Sequence, residues 1–138
     1  MSTPEAILYN PRSVSFRRRM MTHLAVGAAR VLATQPPRRI RTVLDWIRRG
    51  ARPATFQEAQ AARVAVVSVS LACAAREGCL PRSLATVLLC RLGGRWPTWC
   101  VGVRRMPPFG AHAWVEADGV PVGEGYPSGY FRTFFTVP

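Results

Sequence analysis

The hydrophobic pattern changes period once along this chain, at Gly93-Gly94, and that change orders everything the chain can pack. Before it, apolar residues recur at helical spacing or fill whole segments. After it, they come in short β-branched and aromatic runs broken by Gly and Pro. Four helices are expected in the first part. One covers roughly 14–33, with Met20, Leu24, Ala28 and Val31 at helical spacing and Thr-Gln-Pro-Pro as its stop. A second covers about 38–49, between Pro36-Pro37 and Gly50, with Ile40, Val43, Leu44 and Ile47 on one face. A third starts at Thr55, which with Glu58 has the Thr-x-x-Glu form of a capping box, and runs to about Arg76, where Gly78 closes it. It is apolar at almost every position after Arg63, so it is the expected central buried helix. The fourth runs from about Leu80 to Leu92 with Pro81 in its first turn. Strands are expected in "TWCVGVRRM", "AHAWVEA", "VPVGE" and the tail "GYFRTFFTVP". Helices followed by antiparallel strands define an α+β fold.

A chain of 138 residues, 49% of them hydrophobic, suits one compact domain with a real core. Within it, residues 1–54 read as a basic helical part and 55–138 as the part carrying the chemistry. No run of about 20 apolar residues exists to span a membrane. The first residues lack the order of a secretory signal, so a cytoplasmic protein is expected. In that setting Cys73, Cys79, Cys90 and Cys100 are expected to be thiols, and without a Cys-x-x-Cys pair they do not suggest a zinc site. No cofactor motif is visible. The net charge is +12, all 19 basic residues are arginine, and eleven of them lie in residues 1–54 against only Glu5 and Asp45. Such a surface suits an acidic peptide or protein, a nucleic acid or an anionic membrane. No aromatic-basic RNA motif or zinc finger accompanies it, which argues against nucleic acid.

The segment "EGCLPRSLATVLLC" places Cys79 at the first step of the fourth helix. Unpartnered N–H groups and the helix dipole there favour thiolate, the reactive form of the side chain. Pro81 costs the helix nothing in its first turn. Cys73, Cys90 and Cys100 sit within apolar helix or strand and read as small core residues.

Cys79 needs a base, and His112 in "GAHAWVEADGVPVGE" is the candidate. A three-residue Ala117-Asp118-Gly119 loop sets Glu116 against Val120 and His112 against Glu124, on one face of the ribbon with Trp114. A two-residue Asp118-Gly119 turn instead sets Gly125 against His112. On the three-residue loop Glu124 is the candidate that orients the imidazole, and Asp118 is the rival acid, although Asp-Gly is favoured in turns for backbone reasons alone. Glu116 shares the His112 face but lies nearer the turn. His23, in the basic first helix, reads as a surface or packing residue.

Together, "CLPRSLA" and "TWCVGVRRMPPFGAHAWVEADGVPVGE" resemble the transglutaminase-like cysteine peptidases of lasso-peptide biosynthesis, which remove the leader from a precursor peptide. The resemblance covers about 55–138, and the arginine-rich helices before it look like those of stand-alone members. It implies a transglutaminase/papain-like α+β fold, with Cys79 as nucleophile, His112 as base and Glu124 as the acid, where the family usually has aspartate. It implies the split form of the enzyme, working with a precursor peptide, a separate small leader-recognition protein and a separate ATP-dependent cyclase. Two other readings stand beside it: an acyl transferase using the same three residues, and a non-catalytic basic module binding RNA or membrane. In the peptidase reading the arginine-rich helices, Arg17, Arg18 and Arg19 among them, are expected to dock the leader or its recognition partner.

Overall fold

A computed structural model describes residues 15–75, 78–106, 110–125 and 130–138. Helix α1 (Phe16–Leu32) starts at Ser15, whose hydroxyl accepts from Arg18 N. Helix α2 (Pro37–Ile47) has proline in its first turn, and Arg91 donates to the carbonyls of Ile47 and Arg49 just past its end. A two-residue strand β1 (Arg52–Pro53) leads into α3 (Phe56–Val69), which opens with the expected capping box of Thr55 and Glu58. The predicted start of the first helix at Val14 and end of the third at Arg76 lie outside the described residues.

The third helix is not continuous. It breaks at Ser70, which adopts φ −136° and ψ 111° and caps a new short helix, α4 (Leu71–Ala74), by accepting from Cys73 N. Ser68 already bonds back to Val64 O, so two serines compete with the backbone ladder in the last turn. Nor is α3 the central helix. That place belongs to α5 (Cys79–Leu92), which packs against α1, α3 and the sheet and buries Ser83, Leu84, Ala85, Thr86, Val87, Leu89 and Cys90. Its apolar residues go all the way round, whereas α3 keeps Gln57, Gln60 and Ala61 in solvent.

After Gly94, in the left-handed region at φ 79°, come β2 (Arg95–Trp96), β3 (Thr98–Arg104), β4 (Ala111–Ala117), β5 (Val120–Pro121) and β6 (Phe131–Val137). The last four form an antiparallel sheet in the order β5-β4-β3-β6, so the expected α+β architecture is the observed one. A second ladder, the parallel pair β1-β2, is too short for any sequence pattern to announce. Glu58 clamps it, bonding Arg52 at 2.8 Å and Arg95 more closely, while also accepting from Thr55 N. One core joins Ala25, Ala29, Ile40 and Leu44 of α1 and α2 to Leu84 of α5 and Trp99, Val115 and Val137 of the sheet. Gly102 lies at a β-bulge, where an added Cβ would clash with the backbone carbonyl of Arg132. Only glycine lets β6 approach there.

Leu84 is 0% exposed at the centre of this core. Leu84→Ala should cost about 3 kcal/mol, as buried leucine truncations do. A urea titration in which the midpoint falls with an unchanged slope checks this.

Candidate active site

Two layers meet where α5 begins. Gly78 is the N-cap, at φ −89° and ψ 18°, and no side chain caps the helix. Cys79 is therefore its first residue, half-buried, and carries a free thiol. The approach to it is held from below. Arg82, one turn on, donates through Nη1 to the carbonyls of Cys73 and Ala75, tying α4 to the first turn of α5.

His112 enters from β4, paired with Gly102 of β3. It hydrogen-bonds the Cys79 side chain, and its Nε2 lies 3.1 Å from Glu124 Oε1. With Nε2 engaged by the carboxylate, Nδ1 is left to serve the sulfur. The Phe131 ring stacks on the imidazole at 4.5 Å and Trp114 at 5.7 Å, which fixes the ring plane. Trp114 Nε1 in turn donates to Glu116. The structure thus brings Cys79, His112 and Glu124 together, and puts Trp114 on the His112 face as expected.

The route to that contact differs from the expected one. The hairpin takes the tight turn, with Asp118 at φ 54°, Gly119 at φ 74° and Ala117 paired with Val120. Continued regularly, this register would send Glu124 to the wrong face. The ladder stops instead, after Val122 N bonds Val115 O, and Gly123 turns left-handed at φ 69°. That reversal swings Glu124 back to His112. The rival acid is occupied elsewhere: Asp118 Oδ2 accepts from Phe56 N at 2.9 Å and so caps α3 from the turn. His23 is exposed on α1.

Four contributors were not singled out by sequence. The Ala113 N–H bonds the Cys79 sulfur, a backbone contact that any residue type would make. Phe131 depends on strand pairing invisible in one sequence. Arg82 stands in the quoted "CLPR" and Gly123 in "VPVGE", both in plain view but without a signal of role.

The electrostatics select one protonation state. Cys79 is held below the ordinary thiol value, first by its hydrogen bond to His112, against the opposing effect of burial, then by Ala113 N–H and the charges of His112 and Arg82. Burial works against a charged His112, but its bonds to Cys79 and Glu124 and their charges outweigh that and raise it to about 9. Both shifts favour thiolate beside imidazolium over the neutral pair. Burial pushes the other sulfurs the opposite way, Cys90 to about 11 and Cys100, beside Glu116, to about 12.

A half-exposed thiol at a helix start, hydrogen-bonded to an oriented imidazole that favours its ionisation, is the arrangement of a cysteine nucleophile. The chain belongs to the transglutaminase-like superfamily, whose family model matches residues 22–136. Members of that superfamily are typically cysteine peptidases or acyltransferases. No curated protein and no solved structure matches the chain. Among the described residues, no helix is long and apolar enough to cross a membrane.

Iodoacetamide should label Cys79 first, and at a pH below that needed for an ordinary thiol, where Cys90 and Cys100 stay protonated. His112→Ala should shift the inflection of the Cys79 rate upward, towards an ordinary thiol, because the leading cause of the lowered value is gone. Mass spectrometry of labelled peptides across pH reads both effects. Faster labelling of Cys90 than of Cys79 would refute the assignment.

Proposed function

We propose that the protein is a cysteine peptidase that removes the leader from a lasso-peptide precursor, leaving the core with a free N-terminal amine for ring closure. The observation that carries this reading is the hydrogen-bonded series Cys79, His112, Glu124, in which Cys79 and His112 open the Cys-Leu-Pro-Arg-Ser and His-Ala-Trp-Val-Glu motifs and Glu124 follows the histidine by twelve residues. Leader specificity rests on those motifs. The chemistry rests on the geometry.

In this reading the Cys79 thiolate attacks the carbonyl at the leader–core junction. The oxyanion forms near the N–H groups that open α5, where no side chain competes for them. His112 gives its proton to the departing amine, and the core leaves. The leader remains as a thioester on Cys79. Water, deprotonated by His112, attacks that thioester and releases the leader acid and the thiolate. Glu124 keeps the ring oriented and the imidazolium stable through both steps, and the extra methylene of glutamate is accommodated by the turn at Gly123. A separate small recognition protein presents the leader, and a separate cyclase consumes the core.

The test is incubation of a candidate precursor with the chain, with and without its recognition protein, read by mass spectrometry. Hydrolysis gives two fragments whose masses sum to precursor plus one water. A leader joined to an added amine, with no water gained, would assign the acyl-transfer reaction instead. Cys79→Ala and His112→Ala should abolish cleavage to a similar degree, since the two act as one unit. Glu124→Gln should cost less. Asp118→Asn should be nearly silent, because the amide keeps an oxygen for Phe56 N–H and asparagine tolerates the left-handed turn. The reverse order for the two acids would remove Glu124 from its role. Turnover should fall as pH rises through about 9, where His112 loses the proton it must donate.

A further inference from the structure

Helix α1 has two apolar faces. One, made of Thr22, Ala25, Val26 and Ala29, is buried in the core. The other points to solvent. Phe16, Met20, Leu24 and Val31 lie on it at helical spacing and are 77%, 51%, 65% and 68% exposed. At 1.5 Å per residue the stripe runs for about 22 Å. Arg17 borders it on one side and Arg19 and Arg30 on the other, all exposed. Arg18 does not belong to this border: it is half-buried and turned towards Cys90. The three consecutive arginines therefore split between two surfaces.

Gly27 lies midway along the stripe, between Leu24 and Val31. A Cβ there would meet nothing within 4 Å, and its φ is not in the left-handed region. Glycine inside a helix is unfavourable relative to alanine, and nothing among the described residues requires it here. Its effect is a notch in an otherwise continuous apolar row, a place where a neighbouring backbone or side chain can sit close.

We propose that this face of α1 docks an acidic amphipathic segment of a partner protein. The segment lays apolar residues along Phe16, Met20, Leu24 and Val31, seats one of them in the Gly27 notch, and sets carboxylates against Arg17, Arg19 and Arg30. The charges decide the occupant. Residues 16–32 contain no aspartate or glutamate, so a second copy of the helix would bring arginine against arginine. The notch suits a side chain of defined shape rather than a fluid lipid tail. On the reading above, this partner would be the protein that presents the leader.

The probe is a dye-labelled helical peptide with leucines at i, i+4, i+8 and i+11 bordered by glutamates, titrated with the full chain by fluorescence anisotropy. Wild type should bind, and M20E/L24E should weaken binding at least tenfold. R17E/R19E should lose the acidic peptide and gain a lysine-bordered version of it. Gly27→Leu should raise the melting temperature yet weaken binding at least tenfold. All variants should keep the wild-type rate of Cys79 alkylation, so a docking failure is distinguished from a failure of the thiol assignment. No binding by wild type, or equal binding by M20E/L24E, would overturn the proposal. Two other outcomes would also overturn it. Tighter binding of Gly27→Leu to phosphatidylglycerol vesicles, with no peptide bound, would assign the face to a membrane. A dimer in sedimentation that M20E/L24E abolishes would assign it to a second copy.

Discussion

The contact between His112 and Glu124 depends on a backbone reversal at one glycine. A two-residue hairpin fixes the register of β4 and β5, and that register alone would turn Glu124 away from the imidazole. Gly123 at φ 69° undoes this within one residue. A side chain there is disfavoured by the left-handed conformation, and its Cβ would meet Arg63 at about 2.5 Å, so that the arginine side chain would have to shift. The tight turn and the reversal thus belong together. The first frees Asp118 to cap α3, and the second returns the neighbouring acid to the site. Two carboxylates six residues apart serve different ends through backbone geometry rather than chemical type.

The other half of the site is set by burial. Helix α5 is enclosed by α1, α3 and the sheet, so the position of its first residue follows from core packing and not from a flexible loop. Ser83, one turn into the helix, accepts from the Trp99 indole at 3.0 Å, which locks α5 to β3 from within. Arg82 then holds the incoming α4 carbonyls. The thiol side therefore rests on a rigid helix and the imidazole side on a paired strand. The bonds of Cys79 to His112 and to Ala113 N–H join the two layers at their common edge.

Patterning made the order of elements legible, although α1 buries Thr22, Ala25, Val26 and Ala29 and leaves the expected set of Met20, Leu24, Ala28 and Val31 in solvent. Helices α1, α2 and α5 and strand β4 fall within a residue or two of their expected limits. The break at Ser70 was not legible, since serine in a helix signals either a back-bond or a cap, and only the neighbouring packing chooses. The rank of α3 and α5 in the core was likewise invisible, because both are apolar in composition and only one is surrounded. Contact between His112 and Glu124 was anticipated from a register the hairpin does not adopt. The pairing of residues was right and the mechanism was wrong, because a single sequence shows a glycine without showing that its φ is positive.

The net charge of +12 divides into unlike parts once the arginines are placed. Arg52 and Arg95 converge on Glu58, holding that carboxyl well below its ordinary range and closing the small parallel ladder. Arg91 satisfies the carbonyls that follow α2, Arg82 those of α4, and Arg41 lies over the Phe135 ring at 5.2 Å. These positions use the planar fork of the guanidinium, which reaches two acceptors or covers a ring face where a lysine ammonium would not. Part of the arginine content is therefore committed to the fold. The exposed arginines of α1 stand apart from this use, because the stripe between them is apolar and the helix carries no acid of its own. Charge that the fold does not consume, bordering apolar surface that the fold does not cover, is what distinguishes this helix from the other basic segments.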